Sequence, residues 1–160
     1  MKIDYIIPTL YRDTLERAKN SIRKEDVDYN IITCGTGNTA AENRNKCLAE
    51  VKDSEWIVFL DDDDYLLEGH SLELTDDFDI VVLRMRKNRE NLVIPIVGDD
   101  ELKCGNVGIN FALRTEFYLQ NRVVFDDMKP TEEDFRFLRK IMRFTNRIKV
   151  TDKIYYIVPD

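Results

Sequence analysis

Residues 55–65 read EWIVFLDDDDY, an uninterrupted apolar run that meets Asp61, Asp62, Asp63 and Asp64. The run is short, rich in β-branched and aromatic side chains, and shows no alternation. That is the pattern of a strand buried on both faces of a sheet. The four carboxylates span roughly 10–13 Å of chain at about 3.3 Å per extended residue. Their mutual repulsion is costly unless donors or a cation offset it, and hard divalent cations take oxygen ligands of this kind. Ligands also collect beyond the carboxyl ends of strands in open α/β sheets. The competing reading is an acidic surface turn leading into a helix. The rest of the chain decides between them.

The first half alternates strand and helix. Residues 3–7 read as a strand ended by Pro8, and 15–24 as a helix with Leu15, Ala18 and Ile22 on one face. Residues 30–33 form a second short strand, followed by a loop holding Gly35 and Gly37. Thr39 and Glu42 have capping-box spacing and open a helix that runs to about residue 51. With the strand at 56–60, this order implies parallel strands joined by right-handed crossovers, a Rossmann-like nucleotide-binding half over residues 1–64.

Residues 65–160 are less regular and richer in β structure. Strands at 79–85 and 92–97 pair as a hairpin across the charged stretch 86–91. Gly105 and Gly108 precede a strand at 109–113. A helix opening at Thr131 carries Phe135, Leu138, Ile141 and Met142 at helical spacing, and 148–158 read as a final strand. No linker or internal repeat divides the chain. The expectation is one α/β domain with a central mixed, mainly parallel sheet and a metal site where the halves meet.

Composition excludes some function classes. Acidic residues outnumber basic ones, 31 to 24, for a net charge of −7, which argues against a nucleic-acid-binding face. Two basic clusters, Arg84 with Arg86, Lys87 and Arg89, and Arg136 with Arg139, Lys140, Arg143 and Arg147, read mostly as solvated faces. Cys34, Cys47 and Cys104 are odd in number and form no Cys-x-x-Cys pair. They fit free thiols in a reducing compartment rather than a disulfide frame or a zinc site. No apolar stretch approaches the roughly 20 residues that span a bilayer, and the amino terminus does not read as a signal peptide. A cytoplasmic protein is expected.

Taken in order, the motifs resemble those of the family-2 glycosyltransferases of GT-A fold over nearly the whole chain. Ile6, Ile7, Pro8 and Thr9, with Arg12 shortly after, look like the family's opening strand and nucleotide-binding loop. Ala41, Glu42, Asn43, Arg44 and Asn45 resemble its Ala-Arg-Asn helix start. Leu60 and the four aspartates resemble its Leu-Asp-x-Asp-Asp element, which contains the D-x-D motif. The segment 105–114 resembles its glycine-containing strand ended by arginine. Glu133 and Asp134, with Arg139 beyond, resemble the Glu-Asp pair that supplies the catalytic base. Each motif is weak by itself; five in the right order make the case.

The resemblance implies a transferase that moves a sugar, by default glucose, from a nucleoside diphosphate (UDP) to a glycan or other hydroxyl acceptor with inversion, using Mn2+ or Mg2+. In its register Asp63 is the best metal ligand, and Asp61 meets the ribose, the sugar or the metal's shell. The register Asp62 with Asp64 also fits the residues. Pro8, Thr9, Arg12, Asn43, Arg44, Asp61 and Asp62 are the candidate donor-binding residues. Asn43 and Arg44 sit in a first helical turn, where backbone donors favour anions, although a solvent-facing role is open for each. An inverting transfer needs a carboxylate to take the acceptor's proton. Asp134 is the candidate, beside Glu133, although Thr131 and Asp134 also fit a helix cap.

Two departures stand out. No acid follows the second strand, where the family contacts the nucleotide base, and the chain is shorter than most relatives. The lone histidine, His70, reads as a surface loop residue. The rival functions are a haloacid-dehalogenase-like phosphatase, which lacks support because Tyr65 stands where a Thr or Val is usual, a sugar-nucleotide pyrophosphorylase, which lacks its Gly-rich opening loop, and a non-catalytic nucleotide- or metal-binding module.

Overall fold

A computed structural model describes residues 1–126 and 132–160. In chain order the elements are β1 (Lys2–Pro8), α1 (Leu15–Ile22), β2 (Asp28–Cys34), α2 (Ala40–Ala49), β3 (Trp56–Phe59), β4 (Tyr65–Leu66), β5 (Ile80–Lys87), β6 (Leu92–Ile94), β7 (Phe111–Arg114), α3 (Thr115–Asn121), α4 (Glu133–Ile141) and β8 (Ile148–Val158). Short 3₁₀ turns cover His70–Glu73 and Met142–Phe144.

The described strands form one sheet in the order β2-β1-β3-β7-β5-β8-β4, with β6 paired to β5. β1 runs parallel to both β2 and β3, the expected first half. Beyond β3 the sheet turns mixed: β7 is antiparallel to β3 and β5, and β8 returns parallel to β5. β3 sits inside, and all four of its residues are buried, as an unalternating apolar run requires. Burying each such side chain contributes about 1.5–3 kcal/mol. No helix among the described residues is long and apolar enough to cross a membrane.

The layer that matters for function is aromatic. Phe59 at the end of β3 packs against Phe111 of β7 with ring centroids 5.1 Å apart, and against Phe125 at 5.6 Å. Phe137 of α4 stacks on Phe125 at 4.0 Å with the ring planes nearly parallel, and meets Phe111 at 5.9 Å. These contacts dock the start of α4 beside the carboxyl end of β3.

Several expectations shift. The first two helices stop at Ile22 and Ala49, each about two residues early. The strand at 92–97 ends at Ile94, because Pro95 has no N–H for the ladder. The strand expected at 109–113 runs Phe111–Arg114 instead. Asn110 before it spends its side chain on the Leu83 carbonyl (2.5 Å) and the Gly108 N–H (2.8 Å). α4 buries Phe137, Leu138 and Ile141, while Phe135 and Met142 pack against the same core only partly buried, so Phe137 is the inward residue added to the expected face. Thr131 lies outside the described residues; the residue before α4 is Glu132, with φ of 65°. Arg84, read as part of a solvated face, is buried. Its guanidinium donates to the carbonyls of Thr151, Pro95 and Ile96 and to Asp100.

His70 also departs from expectation: it is fully buried. Its Nδ1 donates to the Leu67 carbonyl (2.9 Å), which leaves Nε2 to accept from the Tyr5 hydroxyl (2.7 Å). Glu25, just past α1, accepts from the Gly69 N–H (2.6 Å) and from the N–H and hydroxyl of Ser71, with His70 Nδ1 at 3.2 Å. This clamp fastens the segment after β4 to the end of α1. Burial pushes the Glu25 carboxyl up, but the hydrogen bonds from His70, Ser71 and Gly69 outweigh it and hold the group at about 2. A carboxyl lowered from 4.5 stabilises the fold fully above about 4.5 and loses that contribution as pH falls through about 2. Glu25→Gln is therefore expected to cost about 1–3 kcal/mol at pH 7. Urea melts at pH 7 and pH 3 check it, and the gap to wild type should narrow at the lower pH.

Candidate functional site

The site begins where three parallel strands, β2, β1 and β3, end side by side. The Leu60 N–H bonds the Ile6 carbonyl (3.0 Å), and the Thr9 N–H bonds the Cys34 carbonyl (3.1 Å). Asp62 turns away from the other aspartates. Its Oδ2 accepts from the Thr9 hydroxyl (2.8 Å) and the Leu10 N–H (3.0 Å), tying the loop after β1 to the turn after β3. Tyr11 sits in the left-handed region at φ 57°, and its ring lies against Gly35. A Cβ at Gly35 would fall 2.7 Å from Tyr11 Cε2 and 2.4 Å from the Thr9 carbonyl oxygen, so only glycine fits.

The opposite wall is the start of α2. Thr39 caps it by accepting from the Glu42 N–H (3.1 Å), while Glu42 reaches back to the Asn38 N–H (2.8 Å), one residue beyond the usual capping box. Asn43 is buried, and its Oδ1 accepts from the Gly37 N–H (2.7 Å), fixing the glycine loop. Between this wall and the Pro8 loop lies a cleft of ≈ 300 Å³. Pro8, Thr9, Arg12, Asn43, Arg44, Asp61 and Asp62, the residues read from the sequence as donor-binding, all line it.

Asp61, Asp63 and Asp64 can bring one carboxylate oxygen each within 4.8 Å of one another. Arg12 bonds Asp63 Oδ2 (2.9 Å), and Arg17 donates to the Asp63 carbonyl. Burial raises the Asp64 carboxyl; like charges on Asp61 and Asp63 add to this, against a hydrogen bond from Tyr156 and the charge of Arg17. The group ends at about 7. An all-oxygen donor set with a carboxylate that sheds its proton on binding fits a hard divalent cation. The carboxylates of residues 61–64, 133 and 134 also outnumber the guanidinium groups of Arg12, Arg17 and Arg44 beside them.

Arg44 links this cluster to α4. Although a solvent-facing role was open for it, its side chain is only 4% exposed. Nη2 donates to Asp61 (2.8 Å), and Nη1 donates to Glu133 (2.6 Å) and Asp134 (2.7 Å). Burial alone would lower its pKa, but Asp61, Asp134 and Glu133 outweigh burial and raise it. Its terminal nitrogens are thus committed to carboxylates rather than to an open anion pocket. Burial pushes Asp134 up; Arg44 opposes that, Asp61 and Glu133 add to it, and the group reaches about 6. Asp134 lines a second cleft of ≈ 400 Å³ with Asp61, Asp63, Asp64 and the segment at Gly105 and Gly108. The two clefts share Asp61 and Asp63.

No protein-family model matches the chain, and no curated protein does. Solved structures do. The chain aligns over 99% of its length with 60% of a crystallised 1–349 fragment of S. aureus TarS, at a TM-score of 0.81 and 20% identity. The same protein solved with UDP-GlcNAc gives 0.80 at 19% identity. The mannosyltransferase PcManGT from Pyrobaculum calidifontis, solved with GDP-Man and Mn2+, gives 0.65 at 12% identity, with 97% of this chain covering 56% of that one. The chain has a GT-A-type glycosyltransferase fold. It spans about 60% of the length of the TarS fragment it matches.

Within the GT-A frame the departure after β2 is visible, since Gly35 follows Cys34 there with the Tyr11 ring against it. His70, six residues after Asp64, is held in the Glu25 clamp and is not in the aspartate cluster. The sequence reading missed Arg17, Tyr11 and Tyr156, whose positions depend on long-range packing. It gave Asp64 no role beyond an alternative register.

Proposed function

We propose that this chain is a divalent-metal-dependent glycosyltransferase that takes a sugar from a nucleoside diphosphate, with UDP-sugars as first candidates, and passes it to a hydroxyl acceptor with inversion. Residues 1–64 would supply the donor half and 65–160 the acceptor side. One observation carries the reading: the Asp61, Asp63 and Asp64 cluster lies between two adjoining clefts, with Asp134 in the second. The ligands found in structural neighbours, UDP-GlcNAc in TarS and GDP-Man with Mn2+ in PcManGT, support the donor class.

In this reading the Pro8–Thr9 loop and the start of α2 hold the nucleotide, and Asp61, Asp63 and Asp64 hold the cation. A bound divalent cation would offset the charge that builds on the diphosphate as it leaves. Asp134 takes the proton from the attacking hydroxyl, needing only to come within about 2.6–3.2 Å of it. Arg44 keeps Asp134 in place and opposes its protonation, while Glu133 shares the guanidinium and lies outside the acceptor cleft's lining. Asp62 acts on the loop, not on the metal.

Calorimetry of UDP with Mn2+ tests the donor site. Asp63→Ala should weaken Mn2+-dependent UDP binding on the order of 100-fold, as loss of a metal-site group does, with an unchanged circular dichroism spectrum. Equal affinity in the variant would move the metal off Asp63. Tight UDP–Mn2+ binding with no release of UDP from UDP-GlcNAc or UDP-glucose, whatever hydroxyl acceptor is offered, would favour a non-catalytic module.

A further inference from the structure

The four aspartates form a turn with no regular structure of its own, closed by the Asp64 N–H on the Asp61 carbonyl (3.2 Å). One side chain from the last strand fastens both ends of that turn. The Tyr156 hydroxyl accepts from the Asp61 N–H (3.1 Å) and donates to Asp64 Oδ2 (2.8 Å), and the residue is fully buried. With Oδ2 engaged by the phenol, Oδ1 is the Asp64 oxygen outside that bond. Tyr156 also pairs with Leu66 in the β4–β8 ladder, so its backbone sits beside the chain that leaves the turn.

Tyr156 reaches this place only because β8 is irregular. From Val82↔Val150 an unbroken ladder would set Met85 opposite residue 153, yet Met85 pairs with Tyr156. Extra residues in one strand re-aim the side chains that follow. The irregularity is held from within. The Arg84 N–H donates to the Thr151 hydroxyl (2.9 Å), Arg84 Nε donates to the Thr151 carbonyl (2.9 Å), and the Thr151 hydroxyl donates to the Lys153 carbonyl (2.8 Å). Arg84 and Thr151 are both buried. Their bonds fix the register that delivers the phenol to the turn.

We propose that Tyr156 is a positioning residue for the cation: its hydroxyl holds Asp61 and Asp64 at the spacing that lets them share one ion, and the Arg84–Thr151 contact sets Tyr156 in register. The proposal rests on the metal-dependent reading above. Hydrogen-bonding partners of metal-ligating groups typically contribute 10–100-fold in metal affinity.

The test is a Mn2+ titration followed by electron paramagnetic resonance, on wild type, Tyr156→Phe and Tyr5→Phe. Tyr156→Phe keeps the ring and should lower Mn2+ affinity by roughly 10-fold, with an altered signal from the bound ion. Tyr5→Phe removes a different buried hydroxyl, bonded to His70, and should leave Mn2+ affinity unchanged. Wild-type affinity in Tyr156→Phe, or an equal loss in Tyr5→Phe, would overturn the positioning role. A wild-type chain that binds no Mn2+ would overturn the metal reading and this proposal with it. Should Tyr156→Phe fail to fold, Thr151→Val loosens the irregularity while keeping the phenol. It should weaken Mn2+ binding in the same direction, and unchanged affinity would refute the proposal.

Discussion

Asp134→Asn is expected to lower sugar transfer by roughly 10²–10⁴-fold, the usual contribution of a general base, while UDP still binds with Mn2+. The substitution keeps the side chain's shape and removes only its ability to take a proton. Among the described residues Asp134 lines the cleft with Asp61, Asp63 and Asp64 but makes no hydrogen bond to them, bonding Arg44 instead, so the donor side should be little disturbed. The pH profile gives an independent check. Burial first, then Asp61 and Glu133, raise the carboxyl from 3.8 to about 6 against the pull of Arg44. The base is active when ionised, so kcat/KM should fall about tenfold per pH unit below that value. A cation held at the aspartates lowers it, placing the acid arm measured with Mn2+ at or below 6. Asp134→Asn should lose this arm. Near-normal transfer in the variant would leave Asp134 as a helix-start residue, and a product with retained anomeric configuration would exclude single displacement.

The second large effect is expected at Arg44. Arg44→Met keeps the aliphatic stem and removes the charge that Asp61, Glu133 and Asp134 share. Removing one partner of a buried ion pair typically costs about 3–5 kcal/mol, because the remaining charge stays desolvated. Here that charge is on carboxylates, so the deficit should depend on pH. An acid whose folded pKa is raised above its unfolded value favours the folded state when protonated and loses that advantage as pH rises between the two values. Without Arg44 the Asp134 carboxyl loses the guanidinium charge that lowers it and rises further. Denaturant melts should therefore show Arg44→Met weakest at neutral pH and above, recovering toward wild type as pH falls below about 6. A uniform deficit across that range would mean that lost packing, including the guanidinium over the Phe125 ring at 5.5 Å, dominates over charge.

The two halves of the chain differ in how far they can be read. Residues 3–7, 30–33 and 56–60 declare themselves as strands, and Thr39 with Glu42 as a helix start, because each signal is local: side-chain hydrophobicity, a proline, a cap. The parallel order then follows from the alternation of strand and helix. In the second half, β4 has two residues and α3 seven, too short for periodicity to show. Their formation depends on the sheet they join. His70, Arg84 and Arg44 were misread, or left open, for one shared reason. Each is a polar side chain whose burial is offset by partners distant in sequence: Tyr5 and Glu25 for His70, the 95–100 loop for Arg84, and α4 for Arg44.

The sequence by itself determined the acidic turn at the end of a buried strand and the Rossmann-like first half, and its motifs pointed to seven of the residues that line the first cleft. Those properties belong to short stretches of chain. Only the tertiary structure decided which carboxylates converge. Asp62 is turned away by Thr9 and Leu10, and Asp64 is drawn in by Tyr156. Asp134 is set beside the cluster by Arg44 and by the Phe59, Phe125 and Phe137 stack. Four adjacent aspartates are equivalent as a sequence. Hydrogen bonds from residues up to 95 positions away make them different.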